Sequence, residues 1–336
     1  MTKLLRKCLA EALGTFLLVL FGTGSVASAV LTDALAGLWQ VAVVWGFGVA
    51  IAIFVTAGVS GAHLNPAVSV ALALRRPADM PWRNVAPYVL AQLLGAVVAG
   101  ATVLLVFGSA ILEFEQTRGI TRGSAESVAS GMIFGEYFPN PAGPLPADAV
   151  SPLGACAVEA FGTAILMLVI LALTDERNPA RPSPGMVPFF VGFTVAILIS
   201  LFAPLTQAGW NPARDFGPRL VAWMAGWGLA ALPGPRAGFW VYIVGPLVGA
   251  PIGAVLYDTL LRSSLPAAPQ TSQNSAPAGT WCADQAILQR IVLQACSQGV
   301  KQNCARGDCA PGRNAEADLE MAALLTPPSE LPSETC

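Results

Sequence analysis

The sequence predicts an all-α membrane protein: six transmembrane helices plus two re-entrant half-helices, arranged as an inverted repeat. Composition is the first observation. The chain is 54% hydrophobic and only 11% charged, with 33 glycines, which suits a multi-span membrane protein better than a soluble enzyme. The second is a set of six apolar runs, each near the ~20 residues needed to cross a hydrocarbon core. The third is the tripeptide Asn-Pro-Ala, two copies of which open a short helix between such runs.

The spans fall at roughly 8–31, 38–57, 85–107, 153–173, 186–205 and 239–261. The first carries Glu11 and lacks a small-residue cleavage site, so it reads as a span rather than a secretory signal. After the second comes "SGAHLNPAVSVALAL", with Asn65-Pro66-Ala67; after the fifth comes "LTQAGWNPARDFGPRL", with Asn211-Pro212-Ala213. Asn is a strong N-cap because its side-chain oxygen accepts an orphan backbone N–H. Pro fits the first helical position, where its missing N–H costs nothing. At ~1.5 Å per residue, "PAVSVALAL" reaches about halfway through a ~30 Å core. Two further copies, at Asn140 and Asn178, are followed by Pro144 and Pro146 and by Pro182 and Pro184, so neither should start a useful helix.

An internal repeat orders these elements. "EALGTFLLV" from Glu11 recurs as "EAFGTAILM" from Glu159, and "YVLAQLLGA" from Tyr88 as "YIVGPLVGA" from Tyr242. The offsets are 148 residues for the glutamates, 146 for Asn65 to Asn211 and 154 for the tyrosines. The repeats cover about 4–110 and 150–262. Three spans per repeat is an odd number, so the second half is inverted and the half-helices enter from opposite faces. Basic residues collect on the side of Lys3, Arg6, Lys7, Arg75, Arg76, Arg83, Arg177, Arg181 and Arg262, against Arg118, Arg122, Arg219 and Arg236 on the other. That bias puts both termini in the cytoplasm of a cell-membrane protein.

The meeting of two half-helices supplies a mechanism. Each aims the positive end of its dipole at the midplane, and the Asn65 and Asn211 amides add donors there. A cation or hydrated proton meets a barrier, while a neutral molecule exchanges hydrogen bonds and passes. Intramembrane ionisable residues are functional candidates: here Glu11, Glu159, Arg214 and His63. The symmetric glutamates either brace the irregular backbone before each half-helix or move protons. His63, the only histidine, lines the cytoplasmic vestibule or satisfies local backbone. With one histidine, no His-based metal cluster or catalytic triad is available; no metal or cofactor is expected, no enzymatic activity, and no nucleic-acid partner.

These motifs resemble the major intrinsic protein family, the aquaporins and glycerol facilitators, over roughly residues 4–262. The resemblance implies an aquaporin-like bundle assembled as a homotetramer with one pore per subunit. "WGFGVAIAIFVTAGVSGAHLNPAV" and "TAILMLVILALTD" are most similar to bacterial glycerol facilitators. The family's four-residue selectivity filter, carried over by spacing from the motifs, falls on Trp45, Ile199, Ala208 and Arg214. Arg214 offers a fork of donors suited to hydroxyl or carbonyl oxygens, and Trp45 an apolar wall. Water-selective members carry His at the Ile199 position. Glycerol facilitators carry Gly and Phe at the Ile199 and Ala208 positions, so this filter departs from both and resembles the plant nodulin-like intrinsic proteins. Asp215, directly after Arg214, and the long outer loop at about 108–152 match the glycerol branch.

Residues 263–280 read as a flexible linker and 263–336 as a disordered cytoplasmic tail holding Cys282, Cys296, Cys304, Cys309 and Cys336, outside the 1–262 channel domain. Their spacing fits no standard zinc module. The expected function is a passive channel for glycerol, water and other small neutral solutes, urea or metalloid acids among them. Alternatives are a water-selective or metalloid-conducting aquaporin, a secondary active transporter, and a non-conducting adhesion or scaffold protein.

Overall fold

A computed structural model describes residues 1–35 and 37–267. Among them there is no strand, and six helical runs are long and apolar enough to cross a membrane. In chain order the α-helices are α1 (Lys3–Thr32), α2 (Leu38–Ser60), α3 (Pro66–Arg75), α4 (Val85–Thr117), α5 (Val128–Gly131), α6 (Pro152–Thr174), α7 (Val187–Thr206), α8 (Pro212–Ala222) and α9 (Val241–Leu256). The half-helices α3 and α8 have 10 and 11 residues, about 15 Å at 1.5 Å per residue. The all-α expectation of six spans and two half-helices holds. The Asn-Pro-Ala copies at Asn140 and Asn178 open no helix; each Asn instead accepts from a backbone N–H two residues on, at 3.0 Å.

Three spans depart from expectation by four residues or more; the first, expected from residue 8, starts at Lys3. The third span was expected to end near 107, yet α4 runs to Thr117. Glu113 and Glu115 make the sequence look like loop. Glu115, however, is paired with Arg122 at 2.7 Å and accepts from Ser130 Oγ at 2.7 Å, so its charge is satisfied where it is buried. The sixth span was expected over 239–261, yet the helical run covers Pro235–Ser264. Most of the expected tail, from residue 268 on and with all five of its cysteines, lies outside the described residues.

Packing repeats the sequence repeat. Within the halves, α1 packs on α2 and α4, and α6 packs on α7 and α9. Across them, α2 packs on α7, α8 on α4 and α3 on α9, so each half-helix leans on the last long helix of the opposite half. Backbones come close enough that two related glycines accept no side chain. A Cβ at Gly95 would overlap the Ala12 carbonyl, and one at Gly249 the Ala160 carbonyl. Outside, Leu90, Leu94, Leu105 and Leu201 are well exposed, an apolar surface that suits lipid.

Candidate functional site

The chain enters each half-helix through a loop that ordinary residues resist. Gly61, Ala62 and Leu64 have positive φ before Asn65; Gln207, Ala208 and Trp210 have positive φ before Asn211. For a residue with a Cβ this costs about 1–2 kcal/mol. The compensation comes from two fully buried carboxylates. Glu11 accepts from His63 N at 3.0 Å and Leu64 N at 2.7 Å; Glu159 accepts from Gly209 N at 3.0 Å and Trp210 N at 2.7 Å. Gln92 Nε2 adds a bond to Glu11 at 2.8 Å, and Thr206 Oγ1 one to Glu159 at 2.7 Å. The repeated tyrosines close the helix before each loop: Tyr88 Oη donates to Ser60 O at 2.9 Å, and Tyr242 Oη to Thr206 O at 3.0 Å.

At the junction the two halves exchange hydrogen bonds. Asn65 caps α3, accepting from Ala67 N at 2.8 Å, and Asn211 caps α8, accepting from Ala213 N at 3.1 Å. Asn65 Nδ2 donates to Trp210 O and Asn211 Nδ2 to Leu64 O, both at 2.8 Å. Each amide therefore spends one N–H on fixing its orientation and has a second to offer. Pro66, Ala67, Pro212 and Ala213 are buried behind them as the first turns of α3 and α8.

Both amides face a cavity of about 220 Å³ inside the helix bundle. Trp45, Ile199, Ala208 and Arg214 lie along its wall, and it continues to Thr174 and Val187. Val49, Ile53, Val191 and Val195 add apolar lining, and the two loops line it with Gly61–Asn65 and Ala208–Asn211. The Arg214 guanidinium sits 4.0 Å over the Trp45 ring and pairs with the Glu136 carboxylate. His63 also lines the cavity; its Nδ1 lies 3.1 Å from Ser69 Oγ. Glu11, Glu159 and Asp215 do not line it.

Glu136 was not singled out from the sequence, although a lone carboxylate in the buried run "GMIFGEYFP" is a signal that could have found it. The segment between α4 and α6 folds into the bundle and is pinned from α8 and the loop before it. Asp215 accepts from Glu136 N at 2.7 Å and from Arg219 Nη2 at 2.7 Å, and Gln207 Oε1 accepts from Tyr137 N at 2.8 Å. Arg219 also donates to the Glu136 carbonyl. Arg219, counted as an outer-face charge, is buried in this network.

A profile of the family described as "Major intrinsic protein" matches residues 1–257. The chain belongs to the major intrinsic protein family. It is 45% identical to the glycerol uptake facilitator protein of Pseudomonas aeruginosa over 264 residues, covering 78% of this chain and 91% of that one. The glycerol uptake facilitator protein of Escherichia coli K12 is 45% identical over 262 residues (77% and 89%). The propanediol uptake facilitator PduF of Citrobacter freundii is 43% identical over 262 residues (77% and 93%). Among solved structures, the aquaglyceroporin from Plasmodium falciparum superposes with a TM-score of 0.65 at 29% identity, covering 76% of this chain and 96% of its own. Membership makes this a multi-span membrane protein, in agreement with its six apolar runs.

Proposed function

We propose that the chain is a passive channel for glycerol, water and other small neutral solutes that excludes ions and protons. One observation carries the reading: a single cavity passes from Arg214 and Trp45, by both Asn amides, to the far end of α6. A polyol presents hydroxyls on one side of its carbon chain and C–H groups on the other. The lining offers both kinds of group: the Asn65 and Asn211 amides and the Arg214 guanidinium, together with Val49, Ile53, Val191 and Val195. The names of the relatives, uptake facilitators for glycerol and propanediol, agree with this solute class.

In this reading Trp45, Ile199, Ala208 and Arg214 form the selectivity filter. Glu136 holds the guanidinium in place while its remaining N–H groups meet the solute. Asn65 and Asn211 donate to the solute at the midpoint, where the positive ends of α3 and α8 repel cations. Glu11 and Glu159 are braces. Both carboxylates are committed to backbone N–H groups, which leaves them unsuited to the ion coupling of an active transporter. Six spans return the chain to the face from which it starts, and the basic bias assigns that face to the cytoplasm. The cavity lies within one chain, as befits a homotetramer with one pore per subunit. Stopped-flow light scattering on proteoliposomes, with separate water, glycerol and urea gradients, tests the reading. Glycerol flux well above empty liposomes is expected. Liposomes that conduct water and reject glycerol would overturn it.

A further inference from the structure

An open polar pocket, of about 280 Å³, lies where α3, the α6–α7 link and the last helical run meet, on the face where Leu4 packs by Ala73 and Met80. It is lined by Arg75, Arg76, Arg177, Asp258, Arg262 and Ser263. The four guanidinium groups face two carboxylates. Asp258 takes Arg75 Nε at 2.8 Å and Arg76 Nη2 at 2.6 Å; Asp175 takes Arg262 Nε at 3.1 Å, with Arg177 Nε 3.5 Å away. Both ion pairs are built so that two positive charges remain in surplus.

The surplus is concentrated in usable donors. Arg76 and Arg177 spend further N–H groups on the carbonyls of Arg75 and Arg262, at 2.9 and 2.8 Å, and so answer the negative helix ends. Arg75 and Arg262 engage only through Nε, which leaves the terminal nitrogens of both forks to solvent; they are 39% and 38% exposed. Arg177 Nε is buried without a hydrogen bond. Burial would raise the Asp175 carboxyl, but the Arg177 backbone N–H, the Tyr257 hydroxyl and the Arg177 and Arg262 charges together hold it below its usual value. It therefore stays ionised, and the surplus stands at neutral pH. Exposed Glu176 lies outside the lining.

We propose that this cavity is a binding site for a phosphate group, clamped between the Arg75 and Arg262 forks. Paired forks match phosphate geometry bidentately, which a single lysine would not. The group has two physical sources: the headgroup of an anionic phospholipid in the adjoining leaflet, or a soluble phosphate. The site is separate from the solute cavity and shares no residue with it.

The test uses full-length protein in detergent, with native mass spectrometry and equilibrium dialysis. The probes are inorganic phosphate, short-chain phosphatidylglycerol and, as a control, phosphatidylcholine. The variant is Arg75→Gln with Arg262→Gln, which leaves Arg76–Asp258 and Arg177–Asp175 in place. Wild type should bind one phosphate group per chain in preference to phosphatidylcholine. The double variant should bind about tenfold more weakly, as expected for the loss of charge-assisted hydrogen bonds, with assembly and glycerol flux unchanged. Lysine at both positions should fall between the two. Competition separates the sources: inorganic phosphate displacing the lipid at comparable concentration supports a soluble ligand, and lipid binding that resists it supports a headgroup. Wild type that binds neither probe above the control overturns the proposal. So does an assembled double variant that binds as wild type; if it does not assemble, Arg75→Gln alone is read the same way.

Discussion

Replacing Glu159 with Gln tests whether the carboxylate is a brace. Its Oε1 accepts from Thr206 Oγ1 at 2.7 Å and Gly209 N at 3.0 Å; its Oε2 accepts from Trp210 N at 2.7 Å. Gln keeps one acceptor, and its best orientation preserves the two bonds to Oε1. The Trp210 N–H then faces an NH₂ group. The loss is one charge-assisted bond, about 1.5–3 kcal/mol, plus about 1–3 kcal/mol for a buried donor left unpaired. Together that is about 2.5–6 kcal/mol, on a loop already carrying three positive-φ residues with side chains. The expected outcome is a lower thermal midpoint in detergent and reduced glycerol flux, because the Trp210 carbonyl that accepts from Asn65 Nδ2 loses its position with the loop. Glu11→Gln should behave alike: its Oε2 takes both Leu64 N and Gln92 Nε2, so the amide would face His63 N. A Gln variant with wild-type midpoint and flux would refute the brace. A wild-type midpoint combined with an altered pH dependence of flux would instead place Glu159 in a proton path.

Three further outcomes are expected. Removing the filter guanidinium by Arg214→Val would strand the buried Glu136 carboxylate, at about 3–5 kcal/mol, so the informative variant is Arg214→Val with Glu136→Gln. It should fold, lose solute discrimination and leak protons or cations; unchanged selectivity and proton tightness would refute the filter assignment. Ile199→His narrows the cavity and adds a polar contact, and should shift the water-to-glycerol flux ratio towards water by about tenfold or more; an unchanged ratio would remove Ile199 from the filter. Truncation after residue 267 should leave glycerol flux and assembly intact, checked by flux and by size-exclusion of the detergent-solubilised protein; lost flux with intact assembly would make the remaining residues part of the gate.

Much of this was legible because the chain states it twice. A glutamate, an Asn-Pro-Ala and a tyrosine recur in order, and the structure shows why they travel together. The carboxylate holds the loop, the Asn caps the half-helix, and the tyrosine ties off the helix before it. Local rules of capping and proline placement were enough to choose the right Asn-Pro-Ala copies. What was not legible depends on contacts distant in sequence. Glu136 meets Asp215 across 79 positions, and nothing local marks the segment between α4 and α6 as folding into the bundle. The end of α4 was misplaced for a related reason: a buried glutamate reads as loop until its arginine is found.

The repeat also shows where the protein departs from its own symmetry. At the 146-residue offset of the Asn pair, Trp45 corresponds to Val191, Ile199 to Ile53, Ala208 to Ala62 and Arg214 to Val68. All eight line the cavity; in the proposed reading they are two rings, the filter and its repeat-related counterpart. The rings share a small residue and an isoleucine, but only one holds a charge and an aromatic wall. A buried guanidinium is tolerable only with a carboxylate beside it, and here that carboxylate is Glu136. Glu136 comes from the segment joining the two halves, which lies between the repeats and so occurs once. The other ring has no such segment to draw on and stays apolar. An electrostatic barrier needs to be met only once along the path, so a single charged ring is sufficient, and its place beside Glu136 follows from the position of the link that stabilises it.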